Sequence, residues 1–539
     1  MIKILKPFKS INIIFIIYTL LLALPASYEP HHFAKALFLG AVFHSIIYSI
    51  FLLWLGLKSK IIGHIITIVL LFLFSLETFV YIIFGSRFSP NILSFITQTT
   101  AKETKEFIGT FILQPLPIVL FIGIVVFWVV IIRIIGRKRS SLQIKTKSLK
   151  TSAKVVIIGF GLLMYFVPLP FPSGENTIEN LSFSIKYVME NHREVETMKT
   201  MIREIKVERL KKDEIHPAIV VIIGESFNKH HSSLYGYYLP TSKELEKEKN
   251  AEKLFVFNDV WTPTNATNVA MRYIFTMKRC NEKGYEPNAC VLVPAVFKKS
   301  GYKVAYFDNQ YTRSIAGVLD FSCNFFLNPT EINDNCFDFR NDKIFDYDGD
   351  FIAQYSSDFL LTEKSFNIIH LMGQHFDTEK RFPREYCIFK AVDIQRPDLN
   401  EEQRATVASY DNAVYYNDKV VSEIISKFRN TNAVVIYFSD HGERIYDGES
   451  KRFGRQYGYK DEETLKNEFQ IPFFIWCSDK YISLQGEKYN QIRNSVDRKF
   501  CMADVPYLLF DLAGINFTEY QNKYSLISPE FCPHDINFD

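Results

Sequence analysis

The stretch that decides the fold is Ala218-Ile-Val-Val-Ile-Ile-Gly-Glu-Ser226, read together with its counterpart Ala433-Val-Val-Ile-Tyr-Phe-Ser-Asp-His-Gly-Glu443. Each begins as an apolar run rich in β-branched residues and then breaks abruptly into acids and turn residues. An apolar run of this length, without alternation, reads as a strand buried on both faces. Phe366–Ile369 is a third such run and passes into His370 through His375, and Lys303–Phe307 is a further strand candidate. Helical patterns alternate with these runs, which predicts an α/β domain from residue 218 to 539. In open α/β sheets the ligand site lies just beyond the carboxyl ends of the strands, so three strand ends offer acids and imidazoles to one rim.

Upstream, the chain changes character. Five apolar stretches precede Pro172: Ile11–Ala26, Phe33–Leu57, Ile61–Phe84, Phe111–Ile135 and Ala153–Phe171. Spanning a bilayer takes ~20 mainly apolar residues, so residues 1–171 are predicted to form a helical transmembrane bundle of about five spans. The first stretch follows Lys3, Lys6 and Lys9 and ends in Ala23 and Ala26, a pattern shared with cleavable signal peptides. Basic residues cluster at Lys3–Lys9, at Lys58 and Lys60, and from Arg137 to Lys150, which are alternate connections. Lys and Arg are retained on the cytoplasmic side, so five spans place everything after Phe171 outside the cytoplasm. Residues 172–217 are polar and helical in pattern and read as a connector.

The overall charge adds little. With 62 Lys and Arg against 59 Asp and Glu, the net charge is +3, and that surplus is largely the topogenic residues of the membrane part. Nothing indicates a nucleic-acid partner. All eight cysteines lie after residue 217, as an oxidising compartment would favour. Cys280 with Cys290, and Cys323 with Cys336, are near enough in sequence for local disulfides, although spacing does not determine connectivity.

Glu225, Asp440 and His441 form a credible divalent-metal set, with oxygen and nitrogen donors suited to zinc or manganese. A nucleophile is expected where a hydroxyl touches that metal. Trp261-Thr-Pro-Thr-Asn-Ala-Thr-Asn268 leads into the apolar stretch Val269–Met277, which reads as a helix. A threonine at a helix entrance meets backbone N–H groups and the positive end of the dipole, both of which favour a bound phosphate. On spacing alone Thr264 and Thr267 are equal candidates.

Taken in order, Val220-Val-Ile-Ile-Gly-Glu-Ser226, His231, Ser233-Leu-Tyr-Gly-Tyr237, His370-Leu-Met-Gly-Gln-His375, Tyr410-Asp-Asn412 and Tyr437-Phe-Ser-Asp-His-Gly-Glu443 resemble the phosphoethanolamine transferases of Gram-negative envelopes. These belong to the alkaline phosphatase and sulfatase superfamily and include the mobile colistin-resistance proteins. Gln98-Thr-Thr-Ala-Lys-Glu-Thr-Lys-Glu106 looks like the family's outward loop near the lipid substrate. The resemblance implies an inner-membrane protein with a periplasmic sulfatase-like domain built on a central mixed sheet. It implies phosphatidylethanolamine as donor and an envelope glycolipid, lipid A or lipopolysaccharide core, as acceptor. Position by position, Glu225, Asp440 and His441 match zinc ligands. A gapless match from Asp259 to Phe275 sets Thr267 on the catalytic, metal-touching threonine. His375 matches a histidine that contacts the phosphoryl group or serves as acid/base, and Asn309 and Gln310 sit where relatives contact substrate. His370 aligns with a second histidine, though its place beside a strand favours a hydrogen-bonded core residue.

Two departures stand out. Many relatives carry a histidine shortly after the Asp-His pair, whereas here Lys451-Arg-Phe-Gly-Arg-Gln-Tyr457 fills that region, with Arg452 and Arg455 as candidate phosphate ligands. The cysteines that flank the nucleophile in lipid A-specific relatives are replaced by Pro263 and Tyr273. Competing expectations keep the same site but change the donor, as in phosphoglycerol transfer or sulfatase-like hydrolysis, or make the chain a non-catalytic membrane scaffold. The absence of a Cys-x-Pro-x-Arg stretch disfavours the sulfatase chemistry.

Overall fold

The computed structural model describes residues 2–28, 34–84, 87–88, 109, 113, 115–140, 176–210, 215–279, 291–311, 324–456 and 460–538. The described residues up to Met189 form one compact unit and those from Glu190 onward a second.

In the first unit lie helices α1 (Ile2–Ala23), α2 (Ala34–Lys58), α3 (Lys60–Phe84) and α4 (Pro115–Ser140), and the start of α5 (Thr177–Glu204). Three windows, Ala41–Lys58, Lys60–Ile82 and Ile118–Lys138, are long and apolar enough to cross a membrane, and Asn12–Ala26 is a shorter apolar helix. Their outer faces leave Ile61, Phe72, Val119 and Phe121 exposed, an apolar surface of the kind hydrocarbon covers. Some of the polar groups inside pair with one another. The Tyr18 hydroxyl meets Thr67 at 2.9 Å, and Glu77 accepts from the Phe88 amide at 3.0 Å and from Asn180 at 3.1 Å. The expected span at 153–171 and the loop at 98–106 lie outside the described residues.

The second unit is built on a seven-stranded sheet. Its strands are β1 (Ala218–Gly224), β2 (Leu254–Phe257), β4 (Lys303–Asp308), β5 (Phe339–Arg340), β6 (Ser365–His370), β7 (Ala433–Ser439) and β8 (Phe473–Cys477), while β3 (Val260–Trp261) pairs separately with β9 (Phe500–Cys501). The order is β2-β8-β7-β1-β6-β4-β5. The pairs β7-β1, β1-β6, β6-β4 and β4-β5 are parallel, and β8 runs antiparallel to both β7 and β2, so the sheet is mixed. Every residue of β1, β6 and β7 is buried, as their unbroken apolar runs require. Each fully buried Val or Ile contributes about 1.5–3 kcal/mol, so β1, with five of them, is firmly anchored.

Helices cover both faces. The helix Glu401–Phe428 is started by a capping box, in which Asn400 accepts from the Gln403 amide at 2.8 Å and Gln403 accepts from the Asn400 amide at 3.0 Å. It lays Val414, Val421 and Ile425 in one core cluster with Val220, Ile222 and Val435. On the opposite face Phe297, from the helix Val293–Lys299, stacks on Phe366 of β6 with ring centres 4.1 Å apart.

Register then places the site. Gly224 of β1 pairs with Ser439 of β7, so the next residues, Glu225 and Asp440, leave the sheet side by side. Ile223 pairs with His370, which brings the segment after β6 to the same rim.

Candidate metal and nucleophile site

Glu225 and Asp440 are wholly buried. The Glu225 carboxylate accepts from the Ser226 hydroxyl at 2.7 Å and from Gln310 Nε2 at 3.1 Å. Ser226 adopts φ +56°, a left-handed conformation that few side chains take, and so makes the sharp turn off β1. Asp440 Oδ1 accepts from the His441 amide at 2.7 Å, while Oδ2 is buried without a hydrogen-bond donor. His441 Nδ1 lies 2.8 Å from the Gly442 carbonyl, which can only accept, so Nδ1 carries the proton and Nε2 presents a lone pair. Around Nε2 stand Thr267 Oγ1 at 3.1 Å, Glu225 Oε1 at 3.2 Å and Asp440 Oδ2 at 3.2 Å.

That convergence tests whether a cation fits. Three lone-pair donors from Glu225, Asp440 and His441 lie within 4.8 Å of one another in a buried site. Burial, and then the neighbouring Glu225 carboxylate, push the Asp440 carboxyl well above its usual range; burial pushes His441 down, keeping it neutral. Two buried carboxylates facing a neutral imidazole repel one another at low dielectric, and a divalent cation would remove that cost. An imidazole whose far nitrogen donates to a carbonyl is likewise the usual arrangement of a metal-bound histidine. The donor set fits a metal.

The two candidate threonines are placed differently. Thr267 opens the helix Thr267–Phe275, and its hydroxyl lies 3.2 Å from Glu225 Oε2 as well as 3.1 Å from His441 Nε2. Thr264 is buried, and its hydroxyl accepts from the Ala266 amide at 3.3 Å within its own turn. Of the two threonines, Thr267 is the one hydrogen-bonded to the candidate ligands.

Other expected residues receive different tasks. His375 is 7% exposed, with Nδ1 unpartnered. Burial lowers its pKa to about 3 against the pull of Glu225, with Arg381, Arg455 and His441 adding to the depression, so the ring is neutral. His370 is wholly buried with Nδ1 3.0 Å from Asp308 Oδ1, a core pairing. Asn309 was expected at the substrate. It is wholly buried, donating to Asp348 at 2.8 Å and accepting from the Phe345 amide at 2.7 Å. Asp348 in turn accepts from the amides of Met372 and Gly373 at 2.8 and 2.9 Å. Gly373 must stay small there: with φ +51°, a Cβ would sit 2.9 Å from the backbone N and O of Glu225. Gln310 is also buried and donates from Nε2 to Glu225 and to the Leu371 carbonyl at 3.0 Å, so it holds the Glu225 carboxylate in place.

The two arginines separate as well. Arg452 is exposed, whereas Arg455 donates from Nη1 to His441 Nε2 at 2.7 Å and to the Asn265 carbonyl at 3.0 Å. Glu443, 3.4 Å from Arg455 Nε, has its carboxyl pushed up to about 7 by burial, with Arg455 opposing. Arg381, buried at 3%, also belongs to this surround and carried no sequence signal, since it follows an ordinary charged run. Cys280, Cys290 and Cys323 lie outside the described residues. Cys336, whose candidate partner Cys323 is among them, is a thiol wholly buried at a helix end.

Comparison with known proteins places this geometry. Phosphoethanolamine transferase EptC of Escherichia coli (strain K12) is 29% identical over 323 residues, covering 58% of this chain and 53% of the relative. The chain thus spans about half the length of the curated relatives it matches. The crystal structure of the C-terminal periplasmic domain of the Escherichia coli EptC in complex with Zn is 27% identical, with a TM-score of 0.52, over 61% of this chain and 91% of that one. The integral membrane protein lipooligosaccharide phosphoethanolamine transferase A of Neisseria meningitidis, 15% identical, shares the fold over 96% of this chain and 98% of its own, with a TM-score of 0.63. The sulfatase family profile matches residues 217–515, which run from the start of β1 past β9 and take in all three ligand candidates and both candidate threonines. With more than half of its length under that profile, the chain belongs to the sulfatase family.

Proposed function

We propose that this chain is a metal-dependent phosphoethanolamine transferase of the bacterial inner membrane. In this reading residues 1–171 form about five spans, residues 172–217 a connector and residues 218–539 a periplasmic catalytic domain. The observation that carries the reading is the Thr267 hydroxyl, held within hydrogen-bonding reach of both Glu225 and His441 at a helix entrance. The similarity to transferases named for phosphoethanolamine, and to a zinc-bound domain among them, supports the group transferred and the metal.

Glu225, Asp440, His441 and Thr267 would hold the cation, zinc or manganese. When bound, it would supply Lewis acidity that favours the Thr267 alkoxide and offsets charge on the phosphoryl oxygens. Thr267 Oγ1 attacks the phosphorus of phosphatidylethanolamine, an Oγ–P bond forms, and the bond to the diacylglycerol oxygen breaks. The Thr267 proton ends on that leaving oxygen. A hydroxyl of an envelope glycolipid, lipid A or lipopolysaccharide core, then attacks the same phosphorus, a new O–P bond forms as the Thr267 Oγ–P bond breaks, and the acceptor's proton returns to Thr267 Oγ1. His375, neutral and with Nδ1 unengaged, is the carrier in both halves. The amides at the start of the Thr267–Phe275 helix stabilise the negative phosphoryl group between them.

Mass spectrometry of the intact protein after exposure to phosphatidylethanolamine vesicles tests this. A phosphoethanolamine adduct on Thr267, absent from Thr267→Ala, is expected. An adduct on Thr264, or none, overturns the assignment. Comparing envelope glycolipid masses with and without the gene product, and with Thr267→Ala, identifies the acceptor.

A further inference from the structure

Arg455 lies 14 residues beyond His441 in sequence, on a strap that no catalytic step above uses. The strap is built. Ile445 and Phe453 form an antiparallel bridge, and the Gly454 amide donates to the Arg444 carbonyl at 2.9 Å, which fixes the residue before Arg455. The residue after it is fixed too: the Gln456 amide donates to Glu468 at 2.9 Å, and Asn265 donates both to the Gln456 carbonyl at 3.0 Å and to Glu468 at 2.7 Å. Asn265 is two residues before the nucleophile and its carbonyl also receives Arg455 Nη1, so the strap and the nucleophile loop are tied through one residue. The Arg455 side chain is 10% exposed, and Glu443 lies 3.4 Å from its Nε. Arg455 Nη1 and Thr267 Oγ1 lie 2.7 and 3.1 Å from the same His441 Nε2, which brings both groups to one site.

We infer that Arg455 is a catalytic residue: its guanidinium binds non-bridging oxygens of the phosphoryl group carried on Thr267. This rests on the reading of Thr267 as a phosphoryl carrier. A guanidinium suits the task because it stays charged and presents paired N–H groups that match phosphate oxygens. Arg452, exposed on the same strap, is excluded by position.

The test is calorimetric titration of inorganic phosphate into the full-length zinc-loaded protein in detergent. Arg455→Gln weakens phosphate binding by on the order of 10²-fold, and Arg455→Lys, which keeps charge but loses the fork, by about tenfold. Zinc content and melting temperature stay at parental values in Arg455→Lys, which separates binding from folding. Arg452→Gln leaves phosphate affinity unchanged. Parental affinity in Arg455→Gln, an equal loss in Arg452→Gln, or no phosphate binding by the parent would each overturn the inference. The donor is read separately from the Thr267 adduct. A parent that binds phosphate through Arg455 yet takes up no phosphoethanolamine would sustain the clamp and remove the donor assignment.

Discussion

Replacing Gln310 by methionine removes a side chain of similar volume that touches no reacting atom, and so isolates the cost of aiming a ligand. Gln310 Nε2 makes two hydrogen bonds, to Glu225 Oε2 at 3.1 Å and to the Leu371 carbonyl at 3.0 Å, in a position 2% exposed. In Gln310→Met both acceptors lose a donor away from water. An unmade buried hydrogen bond costs about 1–3 kcal/mol, and the Glu225 carboxylate keeps its Ser226 donor, so a loss of ~2–4 kcal/mol in stability is expected. The metal feels a different part of the change. Removing the partner that orients a ligand lowers metal affinity by roughly 10–100-fold. Zinc affinity measured against a competing chelator, paired with melting curves of the metal-stripped protein, reads the two effects independently. If Gln310→Met melts lower but binds zinc as the parent does, Gln310 braces the fold only, and the argument that it orients Glu225 fails.

Thr264→Val should lose ~0.5–2 kcal/mol, because the Ala266 amide loses its acceptor, yet should still form the Thr267 adduct; loss of the adduct without unfolding would reopen the choice of nucleophile. Burial alone would lower the His231 pKa, but the Asp411 and Asp447 carboxylates, at 2.6 and 3.4 Å, raise it from 6.5 to about 10. A folded pKa above the unfolded one gives stabilisation that is fully present below pH 6.5 and is lost as pH rises toward 10, on the order of 4 kcal/mol in all; melting temperatures should fall across that window in the parent and stay flatter in His231→Gln. Gly442→Ala would place a Cβ 2.2 Å from the Asn467 carbonyl oxygen, so a loss of at least ~3 kcal/mol with weakened zinc binding is expected, and a parental melting curve would show that this backbone contact is not rigid.

The parts of the site that could be read from sequence are those where the local signal and the tertiary outcome share a cause. An unbroken apolar run means a strand buried on both faces, and the residue that ends it must emerge at the sheet edge. Glu225 and Asp440-His441 were therefore identifiable before any register was known. Thr264 and Thr267 were not separable, because both stand near a helix entrance and threonine suits either capping or catalysis there. What divides them is the long-range approach of Glu225 and His441 to one hydroxyl. Asn309 and Gln310 gave no local sign of what they bond to, because their partners, Asp348 and Glu225, are far away in sequence. Arg452 and Arg455 differ in burial only because the strap folds back at the Ile445–Phe453 bridge, a pairing with no local signature.

The way the four metal-facing groups are mounted also says which part of the site can adjust. Glu225 and Asp440 leave neighbouring, fully buried parallel strands at paired positions, and the Asp440 amide donates to the Gly224 carbonyl at 3.0 Å. Their separation is set by the sheet, so the repulsion between them comes with the fold, and a cation bound there stabilises the domain as well as serving chemistry. His441 is fixed one residue further on, through its own Nδ1 contact with Gly442. Thr267 is mounted differently, on a loop outside the seven-stranded sheet, and Asn265 ties that loop to Gln456, Glu468 and Arg455. A change in the strap therefore reaches Thr267 and Arg455 together, while Glu225 and Asp440 stay mounted on the strand ends. Substitutions at Asn265 or Glu468 should accordingly alter phosphate affinity and adduct formation far more than zinc affinity, the opposite of the pattern expected for Gln310.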